Sequence, residues 1–101
     1  MNKRTKATSI PFRVKSEVHA RDHGFCIFCG RPGYPEAHYI SRARGGLGIP
    51  ENIVTACREC HRKMDSSTER PEYLRRAKLY LDLLYPSFPD EDRIYKKGDR
   101  T

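Results

Sequence analysis

The chain contains no run of about 18 apolar residues, and the stretch after its first methionine lacks the apolar core of a signal peptide. A membrane-spanning helix is thereby excluded, a cytoplasmic location is expected, and no membrane partner is implied. No internal repeat, low-complexity tract or inter-core linker is visible, which excludes a repeat array and points to one domain. Apolar residues are themselves scarce, 37% of 101 against 33% charged, so a chain this short needs a staple beyond hydrophobic burial. The scarcity is greatest at the ends. Residues 1–8 and 96–101 carry basic and polar side chains without an apolar pattern, and we read them as flexible tails on a single domain spanning 9–95.

What the chain has in excess is positive charge. A formal net charge of +7 favours a polyanionic partner through phosphate neutralisation and counterion release, and nucleic acid is the natural candidate. It also has four cysteines in two C-x-x-C pairs, Cys26/Cys29 and Cys57/Cys60. Thiolates are soft ligands suited to tetrahedral zinc, and a two-residue spacer turns both sulfurs of a pair toward one ion. Two disulfides are the competing use of four cysteines, but paired C-x-x-C knuckles in an intracellular chain favour zinc. The long stretch between the pairs must leave the metal, form structure of its own and return.

The pattern of that excursion and its flanks is legible. A helix is expected to open around Ser9-Ile10-Pro11, to carry Val14 and Val18 on one face and to end near His23-Gly24. Residues 36–41 read as a strand with Ala37, Tyr39 and Ser41 on one face and His38 and Ile40 on the other. The glycines and Pro50 of residues 42–52 suit a compact loop, and the β-branched run Ile53-Val54-Thr55 suits the returning strand. A helix should begin around the second knuckle, with Cys60 and His61 in its first turns and Asp65 one turn after His61. After a break at 66–70, Pro71 begins the longest helical pattern, whose stripe of Tyr73, Leu74, Ala77, Tyr80, Leu81, Leu84 and Tyr85 reads as core scaffold.

Three stretches together resemble the HNH endonuclease family: Cys26-Ile27-Phe28-Cys29-Gly30, the run from Ala37-His38-Tyr39 through Gly45-Gly46, and the run from Glu51-Asn52 through Cys60-His61. The similarity covers about residues 24–65. It implies an α+β fold, a small zinc-stapled ββα-metal (HNH) fold with flanking N- and C-terminal helices. The activity it implies is metal-dependent DNA endonuclease, hydrolysing phosphodiester bonds to 5′-phosphate and 3′-hydroxyl ends. By the same resemblance His38 is the general base, Asn52 ties the loop to the hairpin and holds the base in line, and His61 is a ligand of a catalytic divalent ion. The ligand set then divides into Cys26, Cys29, Cys57 and Cys60 for structural zinc and His61 for the second ion.

One position departs from the family pattern: Ala37 stands where many members place a metal ligand. Asp65 is the best replacement, because a carboxylate one helical turn from His61 can share its ion and suits Mg²⁺ or Mn²⁺, although another divalent ion is open. Glu36 points to the strand face opposite Ala37 and ranks below Asp65. An alternative frame makes His38 the metal ligand and Tyr39 the base, and ranks second because a phenol near pKa ~10 is a poor base at neutral pH. Arg42 and Arg44 flank the glycines and can hold DNA phosphate. The runner-up reading is a non-catalytic zinc-stapled nucleic-acid-binding module, and a third is a zinc-dependent protein-interaction domain using the last helix. Sequence specificity, nicking against double-strand cleavage, oligomeric state and a protein partner for targeting stay open.

Overall fold

The β-branched run at 53–55 forms the spine of the molecule. In the computed structural model, which describes residues 2–96, it lies in a strand none of whose residues is exposed. The element order is α1 (Lys3–Thr8), α2 (Phe12–Arg21), β1 (Tyr34–His38), a 3-10 turn (Arg42–Arg44), β2 (Ile53–Ala56), α3 (Arg58–Ser66), α4 (Arg70–Leu84) and a second 3-10 turn (Asp90–Arg93). β1 and β2 pair antiparallel as Tyr34↔Ala56, Ala37↔Val54 and His38↔Ile53. Three steps on β1 therefore oppose two on β2, a bulge that bends the strand just before His38.

β2 is buried on both faces, which explains why its sequence shows no polar alternation. Ile53 packs with Val14 and Val18 of α2. Val54 and Ala56 join Met64 of α3, Ala77 and Leu81 of α4, and three of the cysteines. The stripe of α4 behaves as scaffold except at its end: Tyr73, Leu74, Tyr80 and Tyr85 pack against that cluster, whereas Leu84 is exposed and lies outside it. α2 ends as its sequence predicts, with His23 and Gly24 both at positive φ. Among the described residues no helix is long and apolar enough to cross a membrane.

Two expectations are corrected. The first strand covers 34–38 and not 36–41, because beyond His38 the backbone of Ile40 finds its partners in a side chain: Asn52 accepts from the Ile40 amide and donates to its carbonyl. Residues 1–8 are not a free tail. Residues 3–8 form α1, capped by Asn2 and docked on the glycine loop by Arg4 donating to the Ala43 carbonyl at 2.8 Å and by the Gly48 amide donating to the Ala7 carbonyl at 3.0 Å. This docking is made by backbone carbonyls and polar groups, so no apolar periodicity announces it. The polar tail expected at 96–101 lies, beyond Lys96, outside the described residues.

The C-terminal segment closes the same loop from its other side, through Leu47 donating to the Arg93 carbonyl and Tyr95 to that of Gly45, both at 2.8 Å. Arg93 is fully buried, donating to the Glu51 carbonyl and to Asp90.

Asp22 is the buried charge that joins α2, β2 and α4. Its carboxylate accepts from Arg21 (2.8 and 3.0 Å), from the Thr55 amide (3.0 Å) and from the Tyr80 hydroxyl. Burial alone would raise its pKa, but the bonds from Arg21 and Tyr80 outweigh that and hold it below its ordinary value of 3.8. A depressed carboxylate contributes stability that is present above the unfolded value and lost as pH falls through the folded one, so at neutral pH the contribution is complete. Asp22→Asn should therefore lower stability at pH 7 by about 3–5 kcal/mol, the cost of removing one partner from a buried pair. Urea unfolding reads this as a lower midpoint with unchanged slope; a wild-type midpoint would contradict the assignment.

Candidate metal centre and active-site cleft

The two knuckles meet. Cys26 and Cys29 come from a turn closed by the Gly30 amide donating to the Cys26 carbonyl, with Gly30 in the left-handed region that this turn requires. Cys57 directly follows β2 and caps α3, its sulfur accepting from the Cys60 amide at 3.4 Å. All four sulfurs lie within 4.8 Å of one another, and those of Cys29 and Cys57 are 3.6 Å apart. A tetrahedron of Zn–S bonds near 2.3 Å has edges of about 3.8 Å, so the donor set and its spacing fit one zinc ion. None of the cysteines is in a disulfide.

The thiols of the cluster differ in how readily they ionise. Burial opposes ionisation of Cys26, but hydrogen bonds from the amides of Cys57, Cys29 and Phe28 overcome it and bring that thiol down to about 7. Burial, then hydrogen bonding to Cys57 and Cys26, and after these the charge of Cys26 push the Cys60 thiol up.

α3 carries chemistry from this cluster into a cleft of about 680 Å³ lined by His38, Glu36, Arg42, His61, Asp65 and Arg70, among others. His61 follows Cys60 directly, and its Nε2 lies 3.5 Å from an Asp65 carboxylate oxygen. Two ligands at about 2.1 Å on adjacent vertices of an octahedron lie about 3 Å apart, so the pair fits one edge of a divalent-ion site. Among the described residues no third His, Cys, Asp or Glu stands close enough to join them.

His38 enters from the end of β1. Its Nε2 is 2.9 Å from the carbonyl oxygen of Thr8, the last residue of α1. A carbonyl only accepts, so Nε2 carries the proton and the neutral ring keeps its lone pair on Nδ1. Burial pushes the imidazole below its ordinary value of 6.5, against the opposing pull of the Thr8 bond, so the ring is neutral at pH 7.

The remaining residues singled out in the sequence divide. Asn52 is fully buried and does not line the cleft; its amide bonds both backbone groups of Ile40 and the Leu47 carbonyl, fastening the loop to the hairpin behind His38. Ala37 is fully buried against Val54, so that strand position faces the core, and the cleft side belongs to Glu36 and His38. Glu36, ranked low from sequence, shares the cleft with His38 and pairs with Lys15 at 3.6 Å; the two-residue alternation with His38 was the signal for it. Arg42 is in the cleft, but its guanidinium is engaged with Thr8, Ser9 and the Thr5 carbonyl. Arg44 lines a neighbouring groove instead. Tyr39 turns away from the cleft to donate to Asp90 at 2.9 Å, and burial and that carboxylate push its phenol up, which removes it as a base. The Thr8 carbonyl left no trace in the sequence.

The docking of α1 thus sets the tautomer of His38. A Cβ on Gly48 would collide with the Ser9 carbonyl. Gly48→Ala should therefore displace the segment, break the Thr8 bond and mix the His38 tautomers in imidazole ¹⁵N spectra; a single Nε2–H tautomer in that variant would contradict the role given to α1.

Against known families, a model described as HNH endonuclease matches residues 26–76, just over half of the chain, spanning both knuckles, the hairpin, α3 and the start of α4. No curated protein matches the chain significantly.

Proposed function

The chain belongs to the HNH endonuclease family, and from that premise we propose that it hydrolyses DNA phosphodiester bonds with His38 as general base. The observation that carries this reading is one cleft in which a neutral imidazole has its Nε2 committed to Thr8 while an adjoining helix presents His61 and Asp65 as a ligand pair. Nδ1 of His38 takes a proton from a water molecule as its oxygen attacks phosphorus. The bond from phosphorus to the 3′ oxygen breaks, and the departing oxygen takes a proton from a second water molecule, leaving a 5′-phosphate and a 3′-hydroxyl. His61 and Asp65 would hold a divalent ion such as Mg²⁺ or Mn²⁺, which supplies positive charge beside the reacting phosphate. Cys26, Cys29, Cys57 and Cys60 hold structural zinc, whose task is to fix α3 against β2 and so aim that pair. Asn52 acts through the backbone of Ile40 and is a positioning residue.

The non-catalytic DNA-binding module stays as the second reading, because among the described residues no third ligand joins His61 and Asp65. A direct comparison separates them. His38→Ala should keep zinc and the melting temperature while losing at least about two orders of magnitude in cleavage rate, the usual worth of a general base. Asp65→Ala should weaken Mn²⁺ binding, read by electron paramagnetic resonance, without releasing zinc. Full activity in folded His38→Ala protein would overturn the assignment of the base, and unchanged Mn²⁺ affinity would remove Asp65 from the site.

A further inference from the structure

A second groove of about 400 Å³ adjoins the cleft, and the two share Ser41 and Arg70 in their walls. Its cations are Arg44, Arg70, Arg75 and Lys78, and its acid is Asp90. Most of these charges are matched. Arg75 forms a bidentate pair with Glu72, Lys78 lies between Asp82 and Asp90, and Asp90 also receives Arg93 and the Tyr39 hydroxyl. In the adjoining cleft Arg42 is engaged with α1, and outside both depressions Arg76 bonds the Phe28 carbonyl and lies over two aromatic rings. Arg44 and Arg70 differ: among the described residues neither guanidinium has a hydrogen-bond or ion-pair partner, and both face this groove.

We propose that the groove is a second phosphate subsite, in which Arg44 and Arg70 bind a phosphodiester of the substrate strand flanking the one held in the cleft. Two guanidiniums lining one groove without acids of their own repel each other, and a phosphate between them relieves that repulsion while offering oxygens to their planar donors. The apolar wall of Ile40, Leu74 and Ile94 limits solvent screening of the contact. Continuity through Ser41 and Arg70 lets one strand occupy both depressions, so the subsite sets where the scissile bond lies without reading bases. The identity of the anion as a DNA strand rests on the nuclease reading.

The test is the salt dependence of binding of a labelled duplex to zinc-loaded His38→Ala protein without added divalent ion. Each phosphate contact contributes about 0.9 to the slope of log affinity against log salt. Because the two guanidiniums share one phosphate, Arg44→Ala and Arg70→Ala should each reduce the slope by part of that amount, and the double variant by about 0.9, the loss of one phosphate contact. Arg62→Ala, at an exposed cation paired with Glu59 and outside both depressions, should leave it unchanged. Slopes equal to the parent's, an equal loss in Arg62→Ala, or no duplex binding at low salt would each overturn the subsite. Displacement of the duplex by inorganic phosphate at matched ionic strength would also overturn it, in favour of a free-phosphate site. Cleavage by protein with His38 intact is scored separately: binding with the expected slopes but no cutting loses the nuclease and keeps the subsite, whereas cutting with unaltered slopes does the reverse.

Discussion

Four thiols held within 4.8 Å of one another are a constraint before they are a site. Their ionised forms repel, and a cation at their centre turns that repulsion into a fastening. What is fastened decides the rest. Cys57 directly follows β2 and caps α3, so the cluster sets the angle at which α3 leaves the sheet. His61 and Asp65 sit on the next turns of that helix, and their place in the cleft follows from it. Cys26, Cys57 and Cys60 belong to the apolar cluster around Met64, Ala77 and Leu81, so zinc bound by the four thiols would couple metal binding to core formation in a chain with few apolar residues.

The other half of the cleft depends on the chain's two ends. Both flank the glycine loop: α1 on one side through Arg4 and Gly48, the segment after Arg93 on the other through Leu47 and Tyr95. Asn52 fastens the loop from beneath. In the proposed reaction this arrangement places the proton of His38 on the nitrogen facing Thr8, so an element outside the family-matched residues completes the base.

Much of this was legible in the sequence, for identifiable reasons. Helices and strands with an apolar period announced themselves, as did the knuckles, because C-x-x-C spacing has one economical geometry around a metal. His61 and Asp65 could be paired by helical spacing alone. What was hidden was held by polar backbone contacts. α1 has no apolar stripe, the end of β1 depends on a side chain imitating a neighbouring strand, and Arg93 reads as a surface charge until its place between Asp82, Asp90 and the Glu51 carbonyl is seen. Glu36 ranks low in the sequence because it lies on the strand face opposite Ala37, yet that same alternation puts it beside His38 in the cleft.

The central claim is that this cleft cuts DNA when an ion joins His61 and Asp65. The most direct measurement is conversion of supercoiled plasmid by the purified, zinc-loaded protein with no added metal, with Mg²⁺ and with Mn²⁺. The account predicts nicked or linear product only when one of the added ions is present. Plasmid that is bound but stays supercoiled with every ion would contradict it and leave a zinc-stapled DNA-binding module.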